Sequence, residues 1–193
     1  RMGYEYFKED KNHLYALAQW FPRMCAYTDV NGWQNKQYLG TGEFALEFGD
    51  YLVRITAPAD HIVASTGELQ NPEKVLTKDQ RERFDKARTA KKPVFIVDLE
   101  EAKANEKEKA KGKKIWIYKA DNVRDFAFAS SRKFLWDAMG VDLNGRKVMC
   151  MSYWPKEGEP LWSRYSTHSV AHTVEVYSKF TFDYPYPVAI SVN

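Results

Sequence analysis

The residues with the most pointed chemistry are His168, His172 and Glu175, which recur at i, i+4 and i+7 and so share one face if the segment is helical. Two imidazoles one turn apart can hold a tetrahedral metal, and a carboxylate can complete a set of three ligands. The pattern is not the zincin helix, because Ser169 stands where that motif carries its glutamate. The competing reading of the same face is a solvated or interdomain surface, and zinc uptake separates the two. His13 and His61 have no partner in sequence. A Gly-x-Ser-x-Gly elbow, a phosphate-cradling glycine loop and a Cys-x-x-Cys pair are all missing from the sequence. The clusters Trp20-Phe21-Pro22 and Tyr153-Trp154-Pro155 stand at expected strand ends, either as walls of a ligand groove or as packing.

The element that must carry the histidines starts at Pro160, a good first-turn residue, and runs to about Tyr177, with Val170, Val174 and Tyr177 at helical spacing on its apolar side. Most of what precedes it reads as strand. Residues 4 to 21 alternate, with Leu14, Ala16, Ala18 and Trp20 on one face, until Pro22 stops them. Residues 28 to 42 are turn-rich and read as a loop. Phe44, Leu46 and Phe48 alternate, as do Tyr51, Val53 and Ile55, so Gly49-Asp50 is either a hairpin turn or a bulge. Further strands are expected at Ile62–Ala64, Val94–Val97, Ile115–Lys119, Val123–Ala129 and Val148–Tyr153. In the Val123–Ala129 strand Asp125 shares a face with Val123 and Ala127, so it needs a partner if buried.

Between these strands the character changes. Thr77 and Gln80 form a capping box ahead of a helix over 78–90, and Asp98–Lys109 reads as a second, polar helix with Glu100/Lys103 and Glu106/Lys109 at i,i+3 spacing. Together they make a surface helical excursion over about 76–110. Its lysine-rich tail carries glutamates among the lysines and no interleaved aromatic, which marks a solvated face rather than a nucleic-acid site.

Composition sets the outer bounds. A chain of 193 residues that is 44% hydrophobic can bury a sizeable core, and 15% aromatic content suits β-rich packing. The formal charge of +3, from 29 basic and 26 acidic residues, predicts neither nucleic-acid nor membrane-surface binding. No apolar run approaches the roughly 18 residues of a membrane span. Cys25 and Cys150 both lie in apolar surroundings and read as small buried hydrophobes, with a disulfide left open. Val188–Val192 reads as a buried strand with nothing after it, and Arg1-Met2-Gly3 runs straight into a strand, so an interior piece of a longer protein is expected.

Several stretches, taken in order, resemble the gluzincin aminopeptidases, the family of aminopeptidase N, and bacterial members in particular. Gln19-Trp20-Phe21-Pro22 is similar to the family's glutamine-containing loop, and Val123-Arg124-Asp125-Phe126-Ala127-Phe128-Ala129 to a late strand of its β domain. Tyr184-Pro185-Tyr186-Pro187, after Tyr177-Ser178-Lys179-Phe180, resembles the approach to its catalytic domain. Gly42-Glu43-Phe44 and Ala57-Pro58-Ala59-Asp60-His61 before Ala64-Ser65-Thr66-Gly67 add to the likeness, which spans essentially the whole chain.

The resemblance implies a mainly β fold: a saddle-like antiparallel β domain over residues 1–157 lacking its first strands, then 158–193 as the opening helix and strand of a thermolysin-like α+β domain. It implies zinc as the parent enzyme's metal, peptides as its substrates, and a catalytic domain outside this chain that supplies the zinc ligands and the general base. Within the chain it implies a substrate-contacting role for Gln19 at the mouth of the site and a structural one for Asp125. The compartment it suggests is the bacterial envelope or the exterior. The rival expectation is a stand-alone β-sandwich module whose exposed aromatics bind peptide or carbohydrate.

Overall fold

The computed structural model describes residues 2–37, 45–107 and 109–193. Phe44, the Gly40-Thr41-Gly42 turn and the Gly42-Glu43-Phe44 phrase lie outside them. The fold is mainly β. One antiparallel sheet is ordered β1-β2-β10-β6, from β1 (Met2–Phe7), β2 (Asn12–Leu17), β10 (Phe128–Ser131) and β6 (Ile62–Ser65). A second is ordered β13-β12-β11-β8, from β13 (Val188–Val192), β12 (Arg146–Pro155), β11 (Phe134–Leu143) and β8 (Val94–Val97). A third is ordered β5-β9-β7, from β5 (Gly49–Pro58), β9 (Lys113–Val123) and β7 (Glu68–Leu69), and a short hairpin pairs β3 (Tyr27–Thr28) with β4 (Gly32–Trp33).

The main core is shared by the three larger sheets: Leu14, Ile55, Val63, Trp116, Phe126, Phe134, Trp136 and Tyr153 form one buried cluster. β11 is the strand that joins the cores. Its even-numbered residues Phe134, Trp136 and Ala138 enter the main cluster, while Met139, Val141 and Leu143 face a second one. That second cluster is closed by Ala171 and Val174 of the long helix α4 (Leu161–Phe180) and by Ala189 of β13. β13 pairs in parallel with β12, from Met149↔Val188 to Tyr153↔Val192, so residues on both sides of position 157 belong to one sheet.

The helical stretch is built as expected and is more tightly tied in than its polar sequence suggests. It holds α1 (Pro72–Val75), α2 (Lys78–Ala87) and α3 (Leu99–Lys107), and the Thr77–Gln80 capping box opens α2. Phe84 and Ala87 of α2 are buried in the main cluster, and β8, between the last two helices, pairs antiparallel with β11. Gly140 of β11 permits the approach: a Cβ there would lie 2.1 Å from the Arg88 carbonyl oxygen, and its N–H donates to the Ala90 carbonyl at 3.3 Å.

Several local expectations change. The strands expected over residues 4 to 21 form the β1–β2 hairpin, reversed at Lys8–Lys11 where Lys11 takes φ 56, and β2 stops at Leu17, short of Pro22. Gly49 opens β5 with a register shift against β9, and no long strand runs through Gly49-Asp50: of residues 45–48 only Leu46 is paired, in an isolated bridge to Cys25. Val123–Ala129 is not one strand: β9 ends at Val123, and Arg124–Ala127 bridge to β10. Tyr177 is 67% exposed rather than turned to the core, and of the strand Val188–Val192 only Ala189 is buried. Cys150 is buried and Cys25 half-buried, and both are free thiols.

Candidate functional site

The loop that leaves β2 carries Gln19. Leu17 is the last paired residue of β2, and Gln19 then turns the chain with φ 52, a left-handed conformation uncommon outside glycine. The residues after it fix that turn. The Trp20 indole Nε1–H donates to the Phe126 carbonyl at 2.9 Å, and its ring meets Phe128 edge-on at 5.7 Å. Phe21 packs edge-on against Tyr51, whose ring lies tilted beside Phe126 at 5.8 Å. Arg23 then ion-pairs with Asp125 at 2.9 Å, donates to the Arg124 carbonyl at 3.1 Å and lies over the Phe21 ring.

Asp125 therefore has a partner, though it belongs to the connection between β9 and β10 and not to a strand. That connection is itself held, since Thr66 N–H donates to the Ala127 carbonyl at 2.9 Å and Ala127 N–H to the Thr66 hydroxyl at 3.1 Å. Gln19 is half-buried at the head of this frame. Further along the same loop, Arg23, Met24 and Cys25 line an open hollow of about 260 Å³ together with Trp33 and Asn35. At the same end of β9, the Tyr186 hydroxyl donates to the Asn122 carbonyl at 3.0 Å, which docks the Tyr184–Pro187 segment on the third sheet.

His168, His172 and Glu175 all lie on the exposed side of α4. Their ligand atoms are not drawn together. Among the described residues the set of three acidic or histidine side chains that does converge is Asp10, Glu106 and Glu157, whose ligand oxygens lie within 4.8 Å of one another. Those three carboxylates already surround a cation. Lys133, with a fully buried side chain, pairs with Asp10, with Glu106 at 3.0 Å and with Glu157 at 2.9 Å, and its Nζ lies 4.3 Å from the Phe7 ring centroid. Lys156 adds a second ammonium on Glu106. Burial opposes the charge on Lys133, but the hydrogen bonds it donates to the carboxylates outweigh burial and hold its pKa above the ordinary lysine value.

A second buried polar cluster clamps α4 to the sheet. The Thr167 hydroxyl bonds Asp137 of β11 at 2.5 Å and Ser152 of β12 at 2.7 Å, and Ser152 bonds Ser166 at 2.8 Å. Asp137 Oδ2 is buried with no hydrogen-bond partner among the described residues. Burial pushes its pKa up to about 7; the Thr167 bond opposes the rise and the Glu159 charge adds to it. In the first sheet, His61 Nδ1 lies 2.8 Å from the Ser130 hydroxyl, and burial with the nearby Arg132 charge pulls its pKa down to about 4.

Sequence reasoning missed both the lysine cage and the Asp137 clamp. The cage draws its members from the β1–β2 turn, α3, the start of β11 and the 3-10 turn at Lys156–Gly158, separations that no local spacing encodes. The available signal was a lysine placed directly before the apolar run of β11. No protein-family model matches this chain, and no curated protein matches it. Among the described residues no helix is long and apolar enough to cross a membrane.

Proposed function

We propose that this chain is the substrate-access portion of a zinc aminopeptidase, a non-catalytic wall beside an active site built by another domain. The observation that carries the reading is a contact. Two stretches that resemble family motifs, Gln19–Pro22 and Val123–Ala129, lie about a hundred residues apart and touch through the Trp20–Phe126 hydrogen bond, reinforced by an ion pair to Asp125 from Arg23, the residue after the first stretch. This contact holds Gln19 in a fixed left-handed turn, as expected of a side chain meant to meet a substrate without reorganising.

On this reading zinc supplies the activated water and belongs to the catalytic domain. The chain's converging carboxylates are not a site for it, because the Lys133 ammonium sits among them. The role left to this chain is positional: Gln19 orients the N-terminal residue of a peptide, and the hollow beside Trp33 borders its path.

The test is Gln19→Ala in the complete enzyme with amino-acid arylamides. Loss of one hydrogen bond to a charged group should raise KM roughly tenfold and leave kcat within a factor of two or so. An unchanged KM removes Gln19 from the site. One observation favours a second reading, a stand-alone binding module. Tyr4, Tyr6, His13 and Tyr15 form a row of neighbouring rings on the β1–β2 hairpin, with Tyr4 59% exposed. Micromolar binding of peptides or glycans by this chain alone, lost on Tyr4→Ala, would favour the module.

A further inference from the structure

We propose that His168, His172 and Glu175 form a surface chelate for a borderline divalent cation, copper(II) being held most tightly and zinc(II) less so. The proposal is independent of the aminopeptidase reading, whose zinc belongs to another domain.

Three features of α4 carry it. First, the helix is fixed from its other side. Thr167, Ala171 and Val174 are buried against the sheet, and Thr167 is bonded to Asp137 and Ser152. The spacing along the outer side is therefore that of a rigid, 20-residue helix rather than of a mobile segment. Second, the three ligands lie within an arc of roughly 60° at 100° per residue. On such a face residues one turn apart have Cβ atoms about 5–6 Å apart, a span that two metal–nitrogen bonds of about 2.0–2.1 Å can close through rotamer choice.

Third, the ligands are not engaged elsewhere. All three are exposed, and among the described residues none of their side chains takes part in a hydrogen bond, an ion pair or a ring contact. This sets them apart from the acidic set around Lys133, which is already occupied by an ammonium. An imidazole pair with a carboxylate suits copper, nickel and zinc rather than calcium or magnesium, and the intrinsic order of divalent affinities places copper above zinc. Arg164 precedes His168 by one turn and Lys179 follows Glu175 by one turn, so a cation flanks the ligand stripe at each of its ends.

The experiment is calorimetric titration of the full, untagged chain with copper(II) and then zinc(II) salts, with electron paramagnetic resonance of the copper form. One saturable site is expected, with nitrogen hyperfine structure from two imidazoles and tighter binding of copper than of zinc. Loss of an outer partner of a metal ligand already costs about 10–100-fold in affinity, so His168→Gln and His172→Gln should each cost at least roughly tenfold. Glu175→Gln should weaken zinc binding, and His13→Gln should leave both metals unaffected. The exposed positions permit these changes without loss of fold, which a circular dichroism melt of each variant verifies. Absence of saturable uptake, or an affinity unchanged in any one of the three ligand variants, overturns the chelate.

Discussion

Glu106, on α3, stands 3.0 Å from the ammonium of Lys133, which directly precedes β11, and both side chains are almost entirely removed from water. Asp10 and Glu157 complete the cage, so one lysine ties the β1–β2 turn, the helical excursion and the 3-10 turn before α4 to the central strand. Replacing it with an apolar residue leaves the buried Glu106 carboxylate with Lys156 as its one remaining ammonium, while Asp10 and Glu157 still face it. Breaking a buried ion pair from one side costs about 3–5 kcal/mol. Lys133→Met should therefore lose stability of that order in urea denaturation.

A shorter replacement gives a different result. Lys133→Ser would vacate the space among three carboxylate groups whose oxygens lie within 4.8 Å of one another, a set suited to a hard cation. Millimolar calcium should then raise the melting temperature of Lys133→Ser and leave the wild-type chain unchanged, because a ligand bound only by the folded state stabilises it by mass action. An equal response of the two proteins would show that the cage does not convert into a cation site.

Gly140 makes a separate, steric prediction. An added Cβ would meet backbone, the Arg88 carbonyl oxygen at 2.1 Å and its carbon at 2.8 Å, and backbone cannot swing aside as a side-chain tip can. Gly140→Ala must push the C-terminal end of α2 away from β11, where Phe84 and Ala87 are buried. Overpacking of this kind costs about 1–3 kcal/mol. Protection of the α2 amides against hydrogen exchange should fall further than that of α4, which packs on the opposite side of β11.

What the sequence disclosed and what it concealed divide along physical lines. The Thr77–Gln80 box was legible because capping is local, and both of its hydrogen bonds are present. The strands β5, β6 and β8 were legible from β-branched, apolar runs. The central strand β11 was not, because both its faces are buried and it shows no alternation, while Asp137 and Gly140 interrupt its apolar run. A turn signal was there to be used: Asn144-Gly145, with φ 53 and 87, is the tight reversal that joins β11 to β12. Gln19 was singled out by resemblance, and its backbone turn came only with the fold. The Lys133 cage was beyond any local reading, since its four main members are far apart in sequence.

Two buried groups, Asp137 and His61, titrate in opposition to each other. Asp137 has its pKa raised to about 7 by burial, so between the ordinary carboxylate value and pH 7 the folded chain holds a proton that the unfolded chain has released. Stability contributed by Asp137 therefore falls as pH rises through that window, by up to roughly 1.4 kcal/mol per unit. His61 has its pKa lowered to about 4, chiefly by burial, so between pH 4 and 6.5 the unfolded chain holds the extra proton and stability rises with pH at the same limiting slope. Asp10 and Asp60, whose pKa values lie below the ordinary 3.8, act on the acid side of this window. The two slopes thus cancel between about pH 4 and 6.5, leaving the wild-type contribution flat until Asp137 alone lowers it toward pH 7. Each variant should uncover the other group. Asp137→Asn should grow more stable from pH 4.5 to 6.5, and His61→Gln should grow less stable over the same range, as read from urea midpoints. Parallel pH profiles in the two variants would mean that these side chains do not titrate as their burial requires.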